Sequence, residues 1–172
     1  PLTRPPARAP DPRTDIYVRA TRDMGDPGQT VAGTPIEPPL VDARPPALVT
    51  AYSDEDRLVY LNGVTLDDEG NPLILIVTSS SHKPGPQGDP RTWEVLHHKG
   101  GKWHVHQVTN STHNYDTGPI WVEADGTWCV VGPTETGPQR WGGGGEIAGH
   151  PPGQGIAQTR CTTGQDAAAV AA

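Results

Sequence analysis

The chain has no phenylalanine, one methionine and two cysteines among its 172 residues. A disulfide-stapled miniprotein is excluded, because such scaffolds are far richer in cysteine. No apolar run reaches the roughly 18 residues that a membrane-spanning helix needs, so no membrane partner is expected. Cationic residues are scarce: 13 Lys and Arg stand against 20 Asp and Glu, a net charge of −7. Without a basic patch, nucleic acid is not an expected partner either. Helical periodicity is also missing. Only residues 167–172 have a helix-forming composition, and they are too few to hold a helix alone. No Gly-x-Ser-x-Gly elbow marks a serine hydrolase of that type. No Gly-Lys-Ser/Thr follows the glycine run at 142–145, which removes the phosphate-loop reading.

What is abundant is glycine and proline, 21 and 20 residues, close to a quarter of the chain. This is roughly double their usual combined share. In a helix interior they cost about 1 and 3 kcal/mol relative to alanine, so bundles and βαβ designs fit poorly. Wholesale disorder fits poorly too, since five Trp, four Tyr and several apolar runs need burial. Collagen is excluded by the lack of glycine at every third position. The composition implies an all-β, turn-rich fold.

Periodicity supports this reading. Residues 1–14, with five prolines and three arginines, read as a disordered, proline-rich arm. Residues 15–20 alternate as a strand does, and a short strand is expected near 29–32. From residue 47 the pattern is regular. Strands are expected at 58–66, 73–78, 92–97 and 103–108. The run at 73–78 is continuously apolar, as in a strand buried on both faces. The turns fall at Asp67-Asp68-Glu69-Gly70-Asn71 and Lys99-Gly100-Gly101, and a long polar loop lies between 79 and 90. The pattern then restarts: Tyr60, Gly63, Gly70 and Thr78 are echoed by Tyr115, Gly118, Gly126 and Thr134. A period of about 55 residues suits one four-stranded blade of a β-propeller. After residue 148 the pattern is lost, and 149–172 read as a disordered or non-native tail. Cys129, in the apolar run Trp128-Cys129-Val130-Val131, reads as a small buried hydrophobe. Its pairing with Cys161 is disfavoured because Cys161 lies in that tail.

Two sets of residues resemble a known family. Thr21-x-Asp23-x-Gly25 resembles the start of an Asp-box, the turn of bacterial-neuraminidase-repeat (BNR) propellers. Here Asp26-Pro27-Gly28 replaces the closing tryptophan, so the turn is expected to be weakened or rebuilt. Ser81-His82-Lys83-Pro84-Gly85-Pro86, Asp89-Pro90-Arg91-Thr92-Trp93, His113-Asn114-Tyr115-Asp116 and Pro133-Thr134-Glu135-x-Gly137-Pro138 look like the carbohydrate-active branch of that family. Its relatives with assigned chemistry include ulvan and rhamnosyl-glucuronate lyases. The resemblance covers roughly 15–148. It implies a partial propeller, two to three four-stranded antiparallel blades of a seven-bladed parent. It further implies a monomeric parent, secreted or periplasmic, that acts on an acidic polysaccharide or oligosaccharide. The isolated chain, lacking a closed channel, is expected to be inactive.

Under that resemblance the candidate catalytic residues are His82, His113, Tyr115 and Arg140. Elimination beside a uronate needs a base, an acid for the leaving oxygen and a cation for the carboxylate. His82 or His113 would be the base, Tyr115 the acid and Arg140 the cation. Lys83, Asn114, Trp141 and Glu146 are the candidate substrate contacts. A sialidase-like hydrolase, which needs a Tyr–Glu pair and several arginines, and a non-catalytic sugar binder are the alternatives. No cofactor is required. A structural calcium or zinc ion is allowed for, with Asp116 and Glu135 as its weak ligand candidates. The remaining histidines, His97, His98, His104 and His106, lie on the hairpin spanning 92–108. They read as a solvated outer face rather than a zinc site.

Overall fold

A computed structural model describes residues 14–37, 44–83, 85–111 and 117–132, and the backbone of 158–162. The fold is all-β and antiparallel. Its strands are β1 (Asp15–Tyr17), β2 (Leu48–Ala51), β3 (Leu58–Leu66), β4 (Pro72–Ser79), β5 (Arg91–Lys99), β6 (Lys102–Ser111), β7 (Ile120–Val122), β8 (Trp128–Gly132) and β9 (Gln158–Thr162). They form three sheets, ordered β1-β2, β3-β4-β5-β6 and β7-β8-β9.

The four-stranded meander is the centre of the molecule, and its strands match the periodicity closely. β4 is buried along nearly its whole length, as its unbroken apolar run demands. Side chains alternate between faces, so each strand serves two cores. On one face Tyr60, Leu73, Leu75, Val77, Trp93, Val95 and Val108 pack against Ile120, Trp128 and Val130 of the β7–β8 hairpin. On the other, Val59, Ile74, Ile76 and Leu96 pack against Tyr52, with Ile16, Val18 and Val49 at the margin. Each fully buried aliphatic side chain contributes about 1.5–3 kcal/mol. β3 is an edge strand, and Leu61, Val64 and Leu66 along it are 62 %, 62 % and 55 % exposed.

The turns explain the register. Lys99 and Lys102 pair across Gly100 and Gly101, both at positive φ, the two-residue turn whose twist suits a hairpin. The β3–β4 and β7–β8 turns share one construction. In the first, the Asp67 N–H donates to Asn71 O (2.9 Å) and the Gly70 N–H to Asp67 O (3.0 Å). In the second, Glu123 N–H donates to Thr127 O (2.8 Å) and Gly126 N–H to Glu123 O (2.9 Å). Gly70 and Gly126 sit at φ 82° and 83°, a conformation that favours glycine. Shifting β7 and β8 back by 56 positions lays them on the end of β3 and the start of β4, and β9 joins β8 as β5 joins β4.

Four sequence expectations need correction. Residues 29–32 form isolated bridges (Ala20 with Gln29, Gln29 with Pro35) rather than a strand, because the prolines around them cannot extend a ladder. A strand, β9, runs through 158–162 within the segment read as a disordered tail. Cys129 is disulfide-bonded, and the chain's other cysteine, Cys161, stands opposite it in the β8–β9 register. The hairpin of β5 and β6 is solvated on one strand only: every residue of β5 except Lys99 is buried, His97 and His98 included, whereas Lys102, His104, Val105, Gln107 and Asn110 of β6 are exposed.

Candidate functional site

Three groups of polar side chains occupy this frame. The first is loop 79–90, between β4 and β5. Its organiser is Arg91, whose side chain is fully buried. One guanidinium nitrogen donates to Asp89 Oδ1 at 2.7 Å and the other to the Lys83 carbonyl at 3.0 Å, so the two limbs of the loop are clamped together. Gly88 packs directly on this guanidinium and leaves no room for a Cβ. Ser80 N–H donates to Gly88 O at 3.0 Å, Ser79 Oγ to Ser81 O at 2.9 Å, and Lys83 N–H to Ser81 Oγ at 3.2 Å. The loop therefore has a defined shape, with His82 and Lys83 exposed on it.

Of the ten candidate site residues, only His82 and Lys83 belong to the described residues. His113, Asn114, Tyr115, Asp116, Glu135, Arg140, Trp141 and Glu146 lie outside them. Arg91 opposes Ser111 in the β5–β6 register. Loop 79–90 and the connection from β6 to β7 thus leave the sheet at the same end.

The second group lies beneath that end, between the four-stranded sheet and β1-β2. Tyr52, 4 % exposed, donates its hydroxyl to the carboxylate of Glu94, 7 % exposed. Thr78 Oγ1 donates to Glu94 at 3.3 Å and accepts from Arg57, whose guanidinium also reaches Thr92 Oγ1 at 3.4 Å. Burial, then the hydrogen bond to Glu94 and its charge, raise the Tyr52 pKa far above that of a free phenol. Tyr52 is thus a fixed donor that satisfies a buried carboxylate, as buried charge requires. The sequence held no signal for this group, because Tyr52 and Glu94 are 42 positions apart and meet only when β2 folds over β5.

The third group lies at the opposite end, between the four-stranded sheet and Trp128. His97 and Asp67, with side chains 6 % and 5 % exposed, bond through Nε2 and Oδ2 at 2.9 Å. Burial alone would raise the Asp67 pKa. Hydrogen bonds from the Asn71 side chain and amide, from His97 and from the Glu69 amide outweigh it and hold the pKa below the usual value. His106 lies 6.2 Å from His97 and 6.4 Å from His104 between ring centroids. Among the described residues, no set of three His, Cys, Asp or Glu side chains is disposed to hold a metal ion.

The Asp-box-like turn is built from successive side-chain caps. Asp23 Oδ1 accepts the Gly25 amide and Asp26 Oδ1 the Gly28 amide, both at 2.8 Å. Asp26 therefore supplies a second polar anchor, and the residue it caps, Gly28, stands where the motif would carry tryptophan. The Gly28 amide, then the Arg22 amide, hold the Asp26 pKa low.

Searches against protein-family models, curated proteins and solved structures find no match.

Proposed function

We propose that this chain is part of a carbohydrate-active, propeller-like protein that acts on uronate-containing polysaccharide by β-elimination. The observation that carries the reading is the common end of the sheet. The β4–β5 loop, with the Lys83 carbonyl next to His82 held by Arg91, leaves the sheet where Arg91 opposes Ser111, and in the sequence His113-Asn114-Tyr115-Asp116 follows Ser111 by two residues. The repeated hairpins at a 56-residue shift, packed face to face, support the propeller-like arrangement.

In the proposed step, His82 or His113 removes the proton from the carbon beside the uronate carboxylate. The electron pair of that C–H bond becomes the new C=C bond as the neighbouring C–O bond breaks. Tyr115 gives its proton to the departing oxygen, and Arg140 balances the carboxylate charge. Lys83, Asn114, Trp141 and Glu146 hold the flanking sugars. The sialidase-like alternative calls for a nucleophilic Tyr–Glu pair. Tyr52 and Glu94 are such a pair by composition only, because both are buried and the phenol holds its proton tightly.

The test has two parts. The complete gene product, incubated with uronate-containing polysaccharides, should release unsaturated products that absorb in the ultraviolet. The 172-residue chain should be retarded in gels containing the same polymers, and His82→Ala should weaken both effects. Folded protein that neither binds nor cleaves any of these polymers would overturn the reading.

A further inference from the structure

The histidine group plays no part in the proposed elimination, and its construction is unusual for a core. We infer that His97, His104 and His106 form an acid-sensitive joint between the four-stranded sheet and the β7–β8 hairpin. Four observations carry this. First, the three imidazoles share one face of β5 and β6, since His97 opposes His104 and His106 follows two residues later. Second, Trp128 of β8 packs on two of them, its ring 4.6 Å from His97 and 5.5 Å from His106, edge to face in both cases, while His104 stays exposed at the rim. Third, His106 Nε2 is buried without a hydrogen-bond partner. Fourth, one carboxylate, Asp67, is bonded to the group, and it is engaged by His97.

The charged and titratable groups around His106 come from each neighbouring element. β5 contributes His97, β6 contributes His104, and the β3–β4 turn contributes Asp67 through His97. β8 contributes the uncharged indole of Trp128. Glu123, before the β7–β8 turn, is bonded to Trp121 at 2.6 Å. Lys99 and Glu69 pair with each other at 4.0 Å near the exposed turns. Among the described residues, a proton arriving on His106 therefore meets two imidazoles and no free carboxylate.

Burial, then the charges of His97 and His104, lower the His106 pKa, and the same causes lower that of the neighbouring His98. The sign follows from linkage. A group that is harder to protonate in the folded state contributes its full stability above the unfolded histidine value of about 6.5. That contribution is lost as pH falls below this value toward the folded pKa. The strain is relieved if the β7–β8 hairpin lifts and lets water reach His106. Neutral solution keeps the joint shut and mild acid loosens it.

The experiment is amide hydrogen exchange on the intact chain at about pH 7.5 and 5, corrected for the intrinsic pH dependence. Exchange in β7 and β8 should rise at least about tenfold at the lower pH, while β4 stays protected. His106→Gln should abolish the rise. An equal rise in His106→Gln, or none in the native chain, would refute the joint. The ring protons of native His106, followed by NMR, must titrate below about 6.5. Titration at or above that value refutes the inference whether or not the variant folds.

Discussion

Arg91 shows how much one residue can organise. Its guanidinium is fully buried but has an exposed partner, Asp89, and a backbone partner, the Lys83 carbonyl. Replacing it removes the charge-assisted hydrogen bonds to Asp89 and to the Lys83 carbonyl, and with them the clamp on loop 79–90. Arg91→Met should therefore cost about 2 kcal/mol in chemical denaturation. It should also raise proteolytic nicking in that loop. If the loop remains as resistant as in the native chain, Arg91 does not set its shape. Tyr52 has a comparable role at a second site, where its hydroxyl lets Glu94 remain between two sheets.

At the scale of elements, the hairpins depend on glycines for two different reasons. Gly126 is needed for its dihedral angle, and its Cβ position faces open space except for Asp68 Oδ2 at 3.7 Å. Gly118 is needed for its size, because a Cβ there would collide with the Val131 carbonyl and crowd Trp93. Left-handed strain costs about 1–2 kcal/mol per residue, whereas a backbone collision must displace the β7–β8 hairpin. Gly118→Ala should lower the thermal midpoint well beyond Gly126→Ala, with a loss of about 3 kcal/mol or more. Equal losses in the two variants would show that the hairpin yields easily at Gly118. Both glycines are landmarks of the sequence repeat, and the structure separates their physical roles.

For the whole molecule, the sequence was most legible where the signal is local. The apolar run at 73–78 and the Gly100-Gly101 turn specify strands and register through alternation and dihedral preference alone. β1-β2 was harder to read, because prolines interrupt its periodicity and its pairing spans more than 30 residues. The Cys129 bond and β9 were misread for a related reason. The stretch around Cys161 has no apolar alternation, and its strand pairing depends on β8. Burial of His97 was illegible for a third reason: polar residues in an alternating strand read as exposed unless the covering element is known. That element, Trp128, lies 31 positions beyond His97 in the chain. Of the candidate site, the long polar loop between β4 and β5 was legible in the sequence. The buried arginine's grip on that loop was not legible, because it runs to a backbone carbonyl eight positions back and no periodicity carries such a contact.

The edge position of β3 has a consequence for handling the protein in solution. Among the described strands β3 pairs with β4 alone and carries three outward aliphatic side chains, and such an edge is a template on which another chain can align. The net charge of −7 opposes this at low ionic strength, and added salt screens that repulsion within about 10 Å at 0.1 M. Concentrated samples should therefore cloud as salt is raised, through edge-to-edge association rather than unfolding. Val64→Lys, which sets a cation on that edge, should keep static light scattering flat across the same salt series with no change in thermal midpoint.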